Sequence, residues 1–393
     1  MQLYAENDNN RTPVAGFEAT SELHTLCDNA KKDDVQSWEA IRRWLSSNPA
    51  SARYGVEYQG EYDTTPLHLA CRNCPPVEIV LGILDASPET VGWIDAFHWL
   101  PLHYACAYGA SEEVLQVLSD AYPPSKTAID KRGRTPLHFA LGSATRQASA
   151  TTVAILSDSG AAGCADENGS LPLHYACAYG ATERVLKILL SVIPTSTTAV
   201  DFKGRTPLHF AMGNADRATS PAVVKLLLSL NPDVINDTDN DGQLPLHLLA
   251  AQAKKTSVED SHDAKVQRDS AMACLDTLLK ASPMPTADFL TALQSLPEWL
   301  LEYAVVSEEV QKVLNAKIAL RFPTSILLLD AYFLFIIIFS FNSAAMEYLD
   351  IQEKNSDKTK SDEFQYYQLG MYLGMYTEFV CFVLHCCIVL ICF

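Results

Sequence analysis

Up to residue 282 the apolar positions fall in short runs with helical spacing, and the runs come in pairs. The first run of each pair opens on Pro-Leu-His and continues with small residues, as in Pro101-Leu102-His103-Tyr104-Ala105-Cys106. The second repeats its apolar residues at helical intervals, as in Val114, Leu115, Val117 and Leu118, and again in Val185, Leu186, Ile188, Leu189 and Leu190. The pattern predicts pairs of short antiparallel helices. Each first helix is kept thin by Ala, or by a cysteine at Cys71, Cys106 and Cys177, so that a neighbour packs close. Between pairs stand the tetrads Asp130–Gly133, Asp166–Gly169, Asp201–Gly204 and Asp239–Gly242, which read as tight turns. Gly109 and Gly180 are placed to end a first helix.

The pairs recur. Pro-Leu-His stands at 66–68, 101–103, 136–138, 172–174, 207–209 and 245–247. A period near 35 residues signals a solenoid, one supersecondary unit stacked many times. Glu22–Cys27 reads as a degenerate first copy, with an insertion before the next. A longer period lies on top. LPLHYACAYGA occupies both 100–110 and 171–181, and GRTPLHFA both 133–140 and 204–211. Thr precedes Pro-Leu-His at Thr65, Thr135 and Thr206, whereas Leu precedes it at Leu100, Leu171 and Leu244. The duplicated unit is therefore a pair of repeats. Thr is expected to cap its helix through the hydroxyl, with Pro next at N1, where no donor is lost. The Leu copies are expected to replace the cap by burial.

Thr-Pro-Leu-His-x-Ala, as in Thr135–Ala140 and Thr206–Ala211, resembles the ankyrin-repeat signature, and the resemblance covers roughly residues 20–282. It implies an all-α solenoid of helix-turn-helix repeats whose tight turns are hairpins projecting from the stack. It also implies that the motif histidine hydrogen-bonds neighbouring backbone, and that partner proteins bind the hairpin tips and the concave face of the first helices. The matching positions are Lys131, Arg132 and Arg134, then Lys203 and Arg205, with Tyr108 and Tyr179 on the helices. Basic tips on an acidic chain suit an acidic partner, and tyrosine supplies contact area at little entropic cost. A plain solvated face is the alternative reading of these residues.

After 282 the material changes. Residues 283–324 read as capping and linker helices, one near Leu296–Tyr303 and one opening at Ser307 with Val310, Val313, Leu314 and Ile318 on one stripe. Residues 325–393 hold two long apolar runs, Ile326–Met346 and Met371–Phe393, joined by a polar loop at 347–370. Twenty-one residues at ~1.5 Å each reach about 31 Å, the thickness of a hydrocarbon core. These runs read as two transmembrane helices, with buried soluble helices as the alternative. Asp330, Glu378 and His385 lie in or near them, and ionisable groups at that depth are functional candidates. The chain ends inside an apolar run, so the second span either finishes flush with the membrane or continues in a longer protein. Residues 1–20 are polar, lack the apolar core of a signal peptide and read as a disordered tail.

Charge narrows the classes. A formal net charge of −18 and the lack of any dense basic cluster argue against nucleic-acid binding. Eleven cysteines are too few for a disulfide scaffold of 393 residues, so they read as reduced, which with the ankyrin domain argues for a cytoplasmic solenoid. Asp237–Gly242 copies half of a calcium loop, but the twelfth position, which must be a bidentate Glu, is Leu248. His68, Cys71 and Cys74 have zinc-like spacing without a fourth ligand nearby. No phosphate loop or hydrolase motif is present, and no metal, cofactor or catalytic residue is expected. The expected function is a membrane-tethered, non-enzymatic scaffold that binds protein partners in the cytosol and lipid through its spans. The alternative is the front part of an ankyrin-bearing ion channel resembling the transient-receptor-potential type. An ankyrin-type palmitoyltransferase is a third reading, but His385-Cys386-Cys387 lacks its Asp-His-His-Cys core.

Overall fold

The computed structural model describes residues 17–47, 52–143, 146–157, 160–214, 220–256, 262–281 and 291–306, with 308, 311 and 312. Among them the secondary structure is helical, with no β-strand. The pairs are α1 (Phe17–Asn29) and α2 (Val35–Ser47), α4 (Pro66–Arg72) and α5 (Val77–Ala86), then α6 (Pro101–Tyr108) and α7 (Glu112–Ala121). They continue with α8 (Pro136–Leu141) and α9 (Ala150–Ser157), α10 (Pro172–Ala178) and α11 (Glu183–Val192), α12 (Pro207–Met212) and α13 (Pro221–Leu230). α14 (Pro245–Thr256) with the long α15 (His262–Ala281) closes the series. The expected insertion after the first copy is real and contains α3 (Ala52–Val56). The helix expected after Pro297 is α16 (Glu298–Val306), which packs on α15. The helix starting at Phe17 shortens the expected N-terminal tail, because the first repeat needs a full turn before Leu23, which is fully buried.

First helices stack on first helices and second on second, in single file. The Leu of every Pro-Leu-His is at the centre: Leu67, Leu102, Leu137, Leu173, Leu208 and Leu246 are at most 1 % exposed. Burial of each contributes about 1.5–3 kcal/mol. Cys71, Cys106 and Cys177 stand among them as small apolar residues, and all seven cysteines in the described residues are free thiols.

The motif histidine carries the polar side of this packing. In all six Pro-Leu-His copies the backbone N–H of the residue before Pro donates to the histidine Nδ1, at 2.9–3.1 Å. That bond fixes the proton on Nε2, which in four of the six copies donates onward, whereas His103 Nε2 is buried without a hydrogen-bond partner. His68 reaches the carbonyl of Trp99 (3.1 Å), His138 that of Ser170 (3.2 Å) and His209 that of Gln243 (3.0 Å). His24 does the same to Thr64 at 3.1 Å, which places the degenerate copy in register. His174 reaches further back, to Ala199 at 3.2 Å.

The cap differs from expectation. The hydroxyls of Thr135 and Thr206 cap no helix N–H; they lie 3.0 and 2.9 Å from the histidine Nδ1 and donate to it, a second bond alongside the backbone one. Thr65 bonds likewise at 2.8 Å and reaches the His68 N–H only at 3.5 Å. At Thr135 and Thr206 the hydroxyl acts as a donor to the imidazole, and its oxygen accepts no helix N–H. The Leu copies therefore lose one bond to histidine rather than a cap. Burial replaces it for Leu100 and Leu244, at 2 % and 1 % exposure, but Leu171 is only half-buried, which corrects the expectation that all three are core residues.

The hairpins form a ladder outside the helices. One backbone N–H of each hairpin donates to the one before it: Ala96 to Tyr62, Lys131 to Phe97, Glu167 to Arg132, Phe202 to Asn168 and Asn240 to Lys203, at 2.8–3.3 Å. The fourth residue of each turn is left-handed, which glycine accommodates without strain, as Gly133 does at φ 72°. Where Gly133 would stand in the hairpin before it, the chain has His98 at φ 64°.

Among the described residues no helix is long and apolar enough to cross a membrane. Both apolar runs, the 347–370 loop and the stripe Val310, Val313, Leu314 and Ile318 of the helix expected from Ser307 lie outside those residues, while Glu308, Gln311 and Lys312 of that helix are helical. The chain divides into two compact units at Leu314/Asn315, and the solenoid belongs to the first.

Two outcomes are expected. Burial lowers the pKa of His68, His103 and His138 to about 4 and also depresses those of His24, His174 and His209. With folded values below the unfolded 6.5, the unfolded chain binds more protons, so stability is full above pH 6.5 and lost as pH falls towards 4. Each of the three most buried rings costs roughly 1–2 kcal/mol at pH 5. The thermal midpoint should be flat above pH 7 and lower at pH 5; an unchanged midpoint at pH 5 refutes the assignment. Second, Leu100→Thr exchanges about 1.5–3 kcal/mol of burial for a hydrogen bond worth about 1 kcal/mol, so it should destabilise. Leu171→Thr should be close to neutral, and equal effects in thermal melts would contradict the burial argument.

Candidate protein-binding surface

Each hairpin is built around an aspartate. Oδ1 of Asp95 accepts the backbone N–H groups of Phe97 and Trp99, both at 2.8 Å. Asp130, Asp166, Asp201 and Asp239 repeat the pattern on the residues two and four further on. Asp239 thus belongs to its turn, which explains the resemblance of 237–242 to a calcium loop.

Oδ2 distinguishes the two kinds of repeat. In the copies at Leu100 and Leu171 it accepts from the tyrosine after the motif histidine: Tyr104 to Asp95 at 2.8 Å and Tyr175 to Asp166 at 2.9 Å. Burial, then this bond, holds both phenols above their ordinary pKa. In the copies at Thr135 and Thr206 the tyrosine is Phe139 or Phe210, and arginine replaces its hydroxyl. Arg134 donates from Nε and Nη2 to Asp130 at 3.0 and 2.8 Å, and Arg205 to Asp201 at 2.9 and 2.7 Å. Each guanidinium lies over the Phe ring, 4.3 and 4.4 Å from its centre. Burial works against ionising Asp130 and Asp201, but bonds from arginine backbone and side chain outweigh it and leave both carboxyls below the usual range.

The predicted surface residues therefore separate into two groups. Arg134 and Arg205 are half-buried structural ion pairs. Lys131, Arg132 and Lys203 are exposed at the tips. Arg132 lies 3.7 Å from Glu167, while Lys131 and Lys203 have no ion pair among the described residues. Tyr108, 51 % exposed, ends α6 and stacks on Tyr104; half-buried Tyr179 follows α10 and stacks on Tyr175. Tyr179, Lys203 and Arg205 come together in one groove of about 360 Å³ between α10, α12 and their hairpins. Asp330, Glu378 and His385 lie outside the described residues. His68 spends both ring nitrogens on backbone, and Cys74 Sγ donates to the Tyr108 carbonyl at 3.2 Å, so their zinc-like spacing serves packing.

Sequence reasoning missed the apolar residues of the hairpins. Tyr62 (60 % exposed), Phe97 (51 %) and Phe202 (75 %) stand at the tips, and the Tyr62 ring lies 5.7 Å from that of Phe97, tilted by 32°. Their signal was weak, since only the basic residues stand out on an acidic chain. The turn at Asp95 was missed because His98 replaces its glycine.

A family model described as ankyrin repeats (3 copies) matches residues 67–162 and 141–234. No curated protein matches the chain. Among solved structures, the ankyrin repeat domain of Bcl-3, described as a unique member of the IkappaB protein family, aligns at 21 % identity. That alignment covers 63 % of this chain and 97 % of the other, with a TM-score of 0.43. The helix pairs over 67–234 are ankyrin repeats, and the fold is an all-α ankyrin-repeat solenoid.

The split between tied and untied cations predicts different costs. Arg205→Gln removes two charge-assisted bonds and a stacked guanidinium and should destabilise by about 1–3 kcal/mol. Lys203→Gln should stay within about 0.5 kcal/mol of wild type. Thermal melts showing equal losses would undo the distinction.

Proposed function

We propose that the chain is a non-enzymatic scaffold that captures a partner protein on the hairpin tips and first helices of its ankyrin repeats. The observation that carries this is the row of exposed groups at the tips: the cations Lys131, Arg132 and Lys203 with the exposed rings of Phe97 and Phe202. A surface that joins exposed rings to exposed cations is suited to recognition, because rings supply area and cations supply orientation. The buried histidines and aspartates are committed to backbone and turn bonds, which supports a structural rather than a catalytic role for them. The apolar runs Ile326–Met346 and Met371–Phe393 support the second part of the proposal, that the solenoid is held at a membrane through lipid contact. In this arrangement the repeats lie on the cytoplasmic side and the 347–370 loop on the other.

The test uses the full chain in cultured cells. Cross-linked partners are compared between wild type and Lys131→Glu/Arg132→Glu/Lys203→Glu, which leaves the structural Arg134 and Arg205 in place. The partner should be lost from the variant while its thermal midpoint is kept; an unchanged set of partners removes the tips from contention. The protein should also stay in the membrane pellet after alkaline carbonate extraction, and release into the supernatant would end the membrane proposal alone.

A further inference from the structure

The duplicated repeat pair contains its own control. Advancing 71 residues from Asp95, Tyr104, Tyr108, Asp130, Arg134 and Phe139 reaches identical residues at 166, 175, 179, 201, 205 and 210, all of which line the groove. Four lining positions differ between the pairs, and two of the changes open the second site. Trp99, whose ring packs 4.4 Å from Phe139 and 5.0 Å from Tyr104, is replaced by Ser170. Lys131 is replaced by Phe202, 75 % exposed, whose ring lies against Gly169. The first pair covers its inter-repeat surface with an indole; the second uncovers the same surface and sets an aromatic lip over it.

The chemistry of the opening selects its occupant. Its walls carry four rings, Tyr175, Tyr179, Phe202 and Phe210, which favour another ring in edge or offset contact. About 360 Å³ lies at the lower end of the ~300–1,000 Å³ of small-molecule pockets, so it suits one large side chain. Both carboxylates in the wall are engaged, Asp166 by Tyr175 and backbone N–H groups and Asp201 by Arg205. The untied charge is the ammonium of Lys203. We infer that this groove is a docking pocket for an aromatic side chain of the partner protein flanked by a carboxylate, with Ser170 and Phe202 as the residues that open it and Lys203 as the cation that reads the acid. This rests on the scaffold reading and specifies its partner's chemistry.

The test selects 12-residue peptides from a phage-displayed library, in parallel on the full chain in detergent and on its Ser170→Trp variant. Trp is the residue the first pair carries at this place, so the variant should keep its thermal midpoint. Peptides enriched on wild type should pair Trp, Phe or Tyr with an adjacent Asp or Glu, and should bind Ser170→Trp about tenfold more weakly or worse. They should also weaken on Lys203→Glu, a surface change independent of the first. Identical enrichment on both proteins, no enrichment on wild type, or selected peptides lacking a ring or an acid would each overturn the pocket. None of those results touches the scaffold reading, which falls if the tip variant keeps every cross-linked partner.

Discussion

The solenoid depends on a neutral imidazole. The motif histidines from His68 to His209 are fully buried and accept at Nδ1 from their own chain ends, and the rings at 24, 68, 138, 174 and 209 donate at Nε2 to the following repeat. A protonated ring could not accept at Nδ1, and a ring with its proton on Nδ1 could not reach onward. One tautomer therefore closes the first helix and ties it to the next repeat in a single step. Because each tie runs only to a neighbour, stability is distributed along the stack as a chain of interfaces.

The two-repeat period is a solution to one problem in two ways. Four hairpin aspartates, Asp95, Asp130, Asp166 and Asp201, are buried, and each has a second oxygen in need of a donor. A tyrosine hydroxyl from the same repeat supplies it after Asp95 and Asp166; an arginine from the hairpin itself supplies it after Asp130 and Asp201. Exchanging Tyr for Phe removes the hydroxyl and gives the arginine a face to stack on. The residue before Pro varies in step, Leu in the tyrosine copies and Thr in the arginine copies, so the alternation is a coordinated set rather than isolated substitutions.

The repeat, its helix pairs and its first degenerate copy were legible because periodicity reports burial: Leu102 and Leu173 recur where the core recurs. The hydrogen-bonded partners were less legible. A helix-capping hydroxyl was the natural reading of Thr135 from Thr-Pro, yet the hydroxyl donates to the nearby imidazole, and spacing along the chain does not show whether it acts as donor to the ring or acceptor from the helix. Charge alone grouped Arg134 with Lys131, although three residues separate a tied guanidinium from an untied ammonium. What divides them is the position of Asp130 in the folded turn, four residues back along the chain but at bonding distance in space.

The internal duplication also bears on how a repeat interface is converted from stability to recognition. Trp99 buries part of its indole against Phe139 and Tyr104, so the first pair gains packing where the second exposes its walls. Ser170 gives that packing up, and Phe202 adds an aromatic ring exposed to water. Neither change favours the isolated solenoid, whereas the ladder, the aspartate turns and the histidine ties are kept intact on both sides of the opening. A local sacrifice inside an otherwise conserved frame is the arrangement expected where a stable scaffold carries a binding site, since the frame must hold the walls while the walls remain uncovered.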